Sequence, residues 1–282
     1  MKTKTIKQLL LATTMLITVA SASAAHVLVV VSGADHLDLK NGGSHPTGFY
    51  LNELMEPVIQ LQDAGHSITF ATPDGRIPTL EKRSANTRNF GNDEAALNKA
   101  SERLEKLKLL SPTESPVISL ARVEQIGIER FDAIFVPGGH APMQDLSVDP
   151  VLGRILTAFH MANKPTALVC HGPIALLSAL PDASNYAKSV EAGIAKPRAD
   201  WIYAGYRLTV ISNKVEEAVK NMFQGDAMKF YPQNALTAAG ALYSEADKPL
   251  DPYVVEDREL ITGENPASAS AVGKALLKRI EK

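Results

Sequence analysis

The sequence predicts an α/β protein on a doubly wound, mostly parallel sheet with helices on both faces. Three observations carry that reading. Apolar runs rich in β-branched residues recur at His26–Ser32, Phe131–Pro137 and Pro165–Cys170, the pattern of parallel strands covered on both sides. His26–Ser32, a helical stretch from Thr47 to about Ala64 and the strand Ser67–Thr72 make a strand–helix–strand unit. The later runs deliver Gly138-Gly139-His140 and Cys170-His171 at their carboxyl ends, where open α/β sheets place their ligands.

The chain has 282 residues, 45% of them hydrophobic, enough for one large domain. Lys2, Lys4 and Lys7 precede an apolar segment from Leu9 to Val19, and Ala22-Ser23-Ala24 offers a small-residue cleavage site. That layout predicts a secretory signal peptide over residues 1–24, a single domain over 25–282, and a periplasmic or secreted location. Removing three lysines from the 29 basic residues leaves 26 against 31 acidic ones, a net charge of −5. A mildly acidic exported chain has no electrostatic footprint for nucleic acid or for a membrane after cleavage.

Gly33–Pro46 reads as a polar loop, after which Thr47 can cap the first helix and Gly65 ends it. Residues 73–130 lose the strand pattern and contain a charged helix, Asp93 to Leu110. This stretch reads as an insertion folding over one edge of the sheet, either a cap on a pocket or a solvated excursion. Asp149–Met161 is helical, Tyr206–Ser212 a further strand, Asn213–Asn221 a short helix, and Val254–Gly263 a hairpin or paired edge. Asn265 caps the last helix with Pro266 at its first position.

Cys170, the only cysteine, sits where a strand meets a helical stretch beginning at Gly172. A nucleophile on such a turn is held above the sheet near a helix N-terminus, so its thiol is expected to titrate low and react as thiolate. The alternative is a small buried hydrophobe closing the strand. Gly138-Gly139 can point backbone N–H groups at an oxyanion, or form an ordinary tight turn. Glu53, mid-helix between Leu51 and Leu54, is either solvated or held inward with a raised pKa suited to proton transfer. Glu216 and Glu217 open a helix, where the dipole favours acids; either could orient His171. The seven histidines lack metal-binding spacing and no nucleotide fingerprint occurs, so neither metal nor cofactor is predicted.

Together Thr47–Glu53, Phe131–Asp145, Val169–Pro173 and Thr262–Pro266 resemble the DJ-1/PfpI superfamily, most closely the branch of glutathione-independent glyoxalases (glyoxalase III) and stress chaperones. The resemblance implies a flavodoxin-like fold of the class I glutamine amidotransferase type and a triad of Cys170, His171 and Glu216, with Glu217 one residue away. It also implies a buried partner, Glu53, oxyanion donors at the amides of Gly139 and His171, and a homodimer. The implied activity is cofactor-free conversion of a small 2-oxoaldehyde such as methylglyoxal to a 2-hydroxy acid, through a hemithioacetal on Cys170. Two alternatives remain. One is a non-enzymatic stress protein, a holdase or oxidation sensor, needing only Cys170 and Glu53; the other is an amide or peptide hydrolase using the same residues.

Overall fold

The computed structural model describes residues 24–282. The predicted leader, apart from Ala24, lies outside the described residues. β1 (His26–Val30) runs through the centre of the sheet. Val27 to Val30 are buried at every position, and because successive side chains point to opposite faces, such a strand requires cover on both. The polar loop predicted after it contains a small hairpin, β2 (His36–Asp38) with β3 (Ser44–Pro46).

The first helix, α1 (Leu51–Asp63), begins three residues later than a Thr47 cap predicts, its cap position being Tyr50. The Phe49 amide donates to the Thr79 carbonyl and the Glu81 amide to the Phe49 carbonyl, so residues 48–49 are extended against the insertion. The Ser84 hydroxyl then accepts the Leu51 amide, a cap supplied from 33 residues away. Glu53 therefore lies in the first turn of α1, not mid-helix.

β4 (Ser67–Thr72) pairs with β1, and α2 (Glu94–Lys106), capped by Asp93, packs on α1. β5 (Ile118–Ser119) adds a parallel edge strand beside β4 before α3 (Leu120–Ile126). The insertion thus extends the sheet edge it was expected to cover. β6 (Ala133–Val136), α4 (Pro150–Met161) and β7 (Thr166–Val169) follow their predicted ranges closely. After a 3₁₀ turn over Gly172–Ala179 come α5 (Ala183–Glu191), β8 (Arg207–Leu208), α6 (Asn213–Val219), α7 (Pro232–Ala239) and β9 (Leu242–Tyr243). The hairpin is β10 (Val254–Asp257) with β11 (Leu260–Gly263), and Asn265 caps a turn leading into α8 (Ala269–Ile280).

The main sheet has the order β10-β11-β7-β6-β1-β4-β5, parallel except for β10. The strand predicted over Tyr206–Ser212 shrinks to β8, which pairs with β9 outside this sheet, because β10 already occupies the free edge of β11. Its continuation still matters: the Thr209 amide donates to the Thr262 hydroxyl and the Ile211 amide to the Cys170 carbonyl.

Helix packing depends on close approach. α1 lies on α8 where Gly273 faces Pro57 and Gln60, and α4 lies on the Gly172–Ala179 turn where Gly153 faces the Ser178 carbonyl. In an exposed helix Gly→Ala stabilises by about 1 kcal/mol. At Gly153 a Cβ would overlap that backbone oxygen, so Gly153→Ala is expected to destabilise by about 1–3 kcal/mol. Urea unfolding of the variant beside wild type checks the sign.

Candidate active site

Cys170 follows β7 directly and adopts φ +58°, a left-handed conformation that costs a non-glycine residue about 1–3 kcal/mol. Two backbone bonds hold it there: its amide donates to the Gly263 carbonyl at 2.9 Å, and its carbonyl accepts from Ile211 at 3.0 Å. Gly138, after β6, fits against this elbow because it lacks a side chain. A Cβ there would stand 2.5 Å from Glu53 Oε2 and 2.8 Å from both Cys170 Cβ and the His171 amide nitrogen.

The Cys170 Sγ lies 3.3 Å from His171 Nδ1, and His171 Nε2 lies 2.7 Å from Glu216 Oε1. All three side chains are buried. Ser212 caps α6 and sets its phase, turning Val215 and Glu216 inward. Glu217 points to solvent, where it accepts from Lys220 and from the Tyr231 hydroxyl. Of the two acids, Glu216 is therefore the one that faces His171.

Glu53 approaches the thiol from the opposite side. Its Oε2 accepts the Gly138 amide at 2.9 Å, and the Gly139 amide is directed at the same carboxyl group. The two amides expected as oxyanion donors are thus already aimed into the site, Gly139 at Glu53 and His171 at the Cys170 sulfur. Gly139 reaches its position at φ +83°, packed on the Gly48 carbonyl.

The electrostatics overturn one expectation. Cys170 does not titrate low: burial, followed by the charge and hydrogen bond of Glu53 and the charge of Glu216, pushes its thiol up, against the favourable His171 amide. Burial likewise raises Glu53, to about 8, despite its bonds to Cys170 and the glycine amides. Burial also disfavours the charge on Glu216, but the charge and hydrogen bond of His171, with His140 close by, outweigh it and hold this acid below the usual carboxylate range. At neutral pH the site therefore pairs a protonated Glu53 with an ionised Glu216.

His140 has a larger part than the sequence indicated. Its ring lies 4.2 Å from that of His171 between centroids, and its Nε2 is 3.7 Å from Glu216 Oε2. Burial lowers its pKa. Among the described residues, His140, His171 and Glu216 form the one group of three whose ligand atoms lie close enough to hold a metal ion. Local spacing could not reveal this, since the three follow β6, follow β7 and sit on α6.

Over these groups opens a cavity of about 380 Å³. Tyr50, Arg83 and Asn89 border one side, the last two from the insertion. Ile211, Val215, Val219, Met222 and Leu250 give it an apolar wall. Arg83 is held by Glu81 at 3.0 Å and contacts His45 at 2.9 Å.

The DJ-1/PfpI family model matches residues 46–181, the span that carries Glu53, the glycine pair and the Cys170 elbow. Over that span the chain resembles the DJ-1/PfpI family. The chain is 26% identical over 249 residues, 82% of this chain and 90% of the other, to a probable glutathione-independent glyoxalase of Schizosaccharomyces pombe. It is 25% identical over 256 residues, 90% of this chain and 80% of the other, to a protein/nucleic acid deglycase of Pseudomonas aeruginosa. Glyoxalase III of Candida albicans superposes with a TM-score of 0.63 at 19% identity, covering 90% of this chain and 97% of that one, a likeness of fold.

The raised Glu53 predicts a pH-dependent stability. Its folded pKa of about 8 exceeds its ordinary 4.5, so ionisation is easier in the unfolded chain. Stability is full below 4.5 and is lost as pH rises through about 8. Glu53→Gln removes this loss. Its Tm relative to wild type is expected to rise between pH 5 and pH 8 and then level off, as read by differential scanning calorimetry.

Proposed function

We propose that this chain isomerises and hydrates 2-oxoaldehydes such as methylglyoxal, giving 2-hydroxy acids through a covalent adduct on Cys170. The observation that carries the reading is one buried nucleophile flanked by two acids in opposite states, Glu53 protonated and Glu216 ionised behind His171. The glyoxalase relatives support the substrate class.

Cys170 is the nucleophile, with its proton taken up by His171. The sulfur forms a bond to the aldehyde carbon, and Glu53 gives a proton to the oxygen, making a hemithioacetal. A base, His171 or the Glu53 carboxylate, then removes the proton from that carbon, producing an enediol. Return of a proton to the neighbouring carbon gives a 2-hydroxyacyl thioester. Water cleaves the thioester, releasing the 2-hydroxy acid and restoring the thiol. The sum is one aldehyde plus one water, with no net oxidation. Positioned acids and bases of this kind contribute about 10²–10⁴-fold each. An oxidation sensor needs Cys170 and Glu53 alone, so it leaves the 2.7 Å His171–Glu216 bond without a task.

Lactate formation from methylglyoxal by the reduced protein, without glutathione, tests the reading. Cys170→Ala is expected to abolish it, and Glu216→Gln to lower kcat/KM by about 10²–10⁴-fold. Absence of turnover in wild type, with Cys170 still labelled by a thiol reagent, rejects it.

The cavity also bears on substituent size. Methylglyoxal has five non-hydrogen atoms, roughly the space of three waters or about 90 Å³, far less than about 380 Å³. Leu250, exposed and at φ +67°, is held at the mouth in a strained conformation, and the exposed Val219 lies in the same wall. An apolar substituent would cover both. Leu250→Asp is therefore expected to lower the phenylglyoxal-to-methylglyoxal ratio of kcat/KM by about tenfold, the scale of a lost apolar pocket contact. Equal loss on both aldehydes would remove the wall from recognition.

A further inference from the structure

We propose that His140, His171 and Glu216 bind a divalent cation of borderline softness, Zn²⁺ or Co²⁺, and that this cation and the Cys170 chemistry exclude one another. The first clause stands on geometry alone; the second rests on the proposed aldehyde reaction.

Buried polar atoms in native proteins are nearly always satisfied, and each exception asks for a missing partner. Here two exceptions face one another. The Nε2 of His140 and the Oε2 of Glu216 are buried without a hydrogen-bond partner, in residues only 4% and 1% exposed. Their closest approach, 3.7 Å, is too long for a hydrogen bond. It is close to the separation of roughly 3.3 Å between neighbouring ligands around a tetrahedral ion with bonds of about 2.0 Å. The third donor, His171 Nε2, already touches the other oxygen of Glu216, and all three ligand atoms lie within 4.8 Å of one another.

Two imidazoles and a carboxylate with one position left to a small ligand is a donor set suited to zinc. The open position would face the cavity, which His140, His171 and Glu216 all border. Cys170 is not part of this set, because its sulfur faces Nδ1, the other nitrogen of the His171 ring. The cation would take the place of the proton between His171 Nε2 and Glu216. With that proton displaced, His171 can no longer pass its charge back to the carboxylate, and proton transfer at Cys170 stops.

Co²⁺ titrated into the Cys170→Ala protein, followed by visible absorption, tests the site with the thiol removed as a competing ligand. One saturable equivalent with the d–d bands of a four- or five-coordinate ion is expected. His140→Ala in the same background should weaken binding tenfold or more, and so should Glu216→Gln; thermal melts establish that each variant is folded. No saturable absorption, or binding unchanged by both substitutions, overturns the site. In the Cys170 protein, Zn²⁺ is expected to stop lactate formation and a chelator to restore it. Turnover that persists with the site saturated overturns the exclusion. Absence of lactate in metal-free protein rejects the proposed reaction, while the Co²⁺ titration decides the site independently.

Discussion

The left-handed turn at Cys170 is the constraint on which the rest of the site depends. A non-glycine residue at φ +58° persists only when its surroundings over-determine it. Gly263, at the end of β11, accepts the Cys170 amide, and Ile211, beyond β8, donates to its carbonyl. Between these anchors the side chain is presented at the carboxyl edge of the sheet. The same turn brings the His171 amide beside Gly138, leaving no room for a Cβ, so the end of β6 must be glycine if Glu53 is to reach the thiol. Three strands, one helix and one missing side chain are therefore coupled through a single strained residue.

That coupling also sets the charges. Cys170 and Glu53 are buried together, and the low dielectric disfavours two negative charges so close. Both are pushed up, and the pair keeps a proton at neutral pH. Glu216 is equally buried but stands against two imidazoles, which reverse the effect. Two carboxylic acids of the same type thus hold opposite protonation states because one faces a thiol and the other faces histidines. The division into proton donor and charge partner arises from placement.

Much of this was legible in the sequence, and what was not has identifiable causes. The strands around Val29, Phe135 and Leu168 announce themselves because burial on both faces demands unbroken apolar runs. Cys170 and His171 follow from one such run ending abruptly. Glu53 was legible as an acid beside apolar neighbours, but its place in the first turn was not, since the helix start is fixed by Ser84 and Thr79 of the insertion. Glu216 and Glu217 are indistinguishable as letters; the Ser212 cap and the partners Lys220 and Tyr231 separate them. At the elbow the helix N-terminus and the amide, both local, favour a low thiol pKa. Burial and Glu53, which act in the other direction, are tertiary. His140 was legible at the carboxyl end of its strand, but its approach to Glu216, 76 positions on in the chain, was not, for the same reason.

Local and non-local signals divide along a functional line. The groups proposed to make or break bonds sit immediately after β6 and β7 and at the start of α1, on rigid elements whose sequence patterns are strong. The other groups that line the cavity come from Arg83 and Asn89 of the insertion, Val219 and Met222 at and beyond the end of α6, and Leu250 ahead of β10. These segments are short, irregular and free of periodicity, so they can vary without disturbing the elbow. A chain built this way keeps its chemistry in the sheet and its selectivity in the loops. Val219, Met222 and Leu250 are accordingly the part of the site that substitution can reach without straining the elbow, and the thiol with its two unlike acids the part that the packed elements hold.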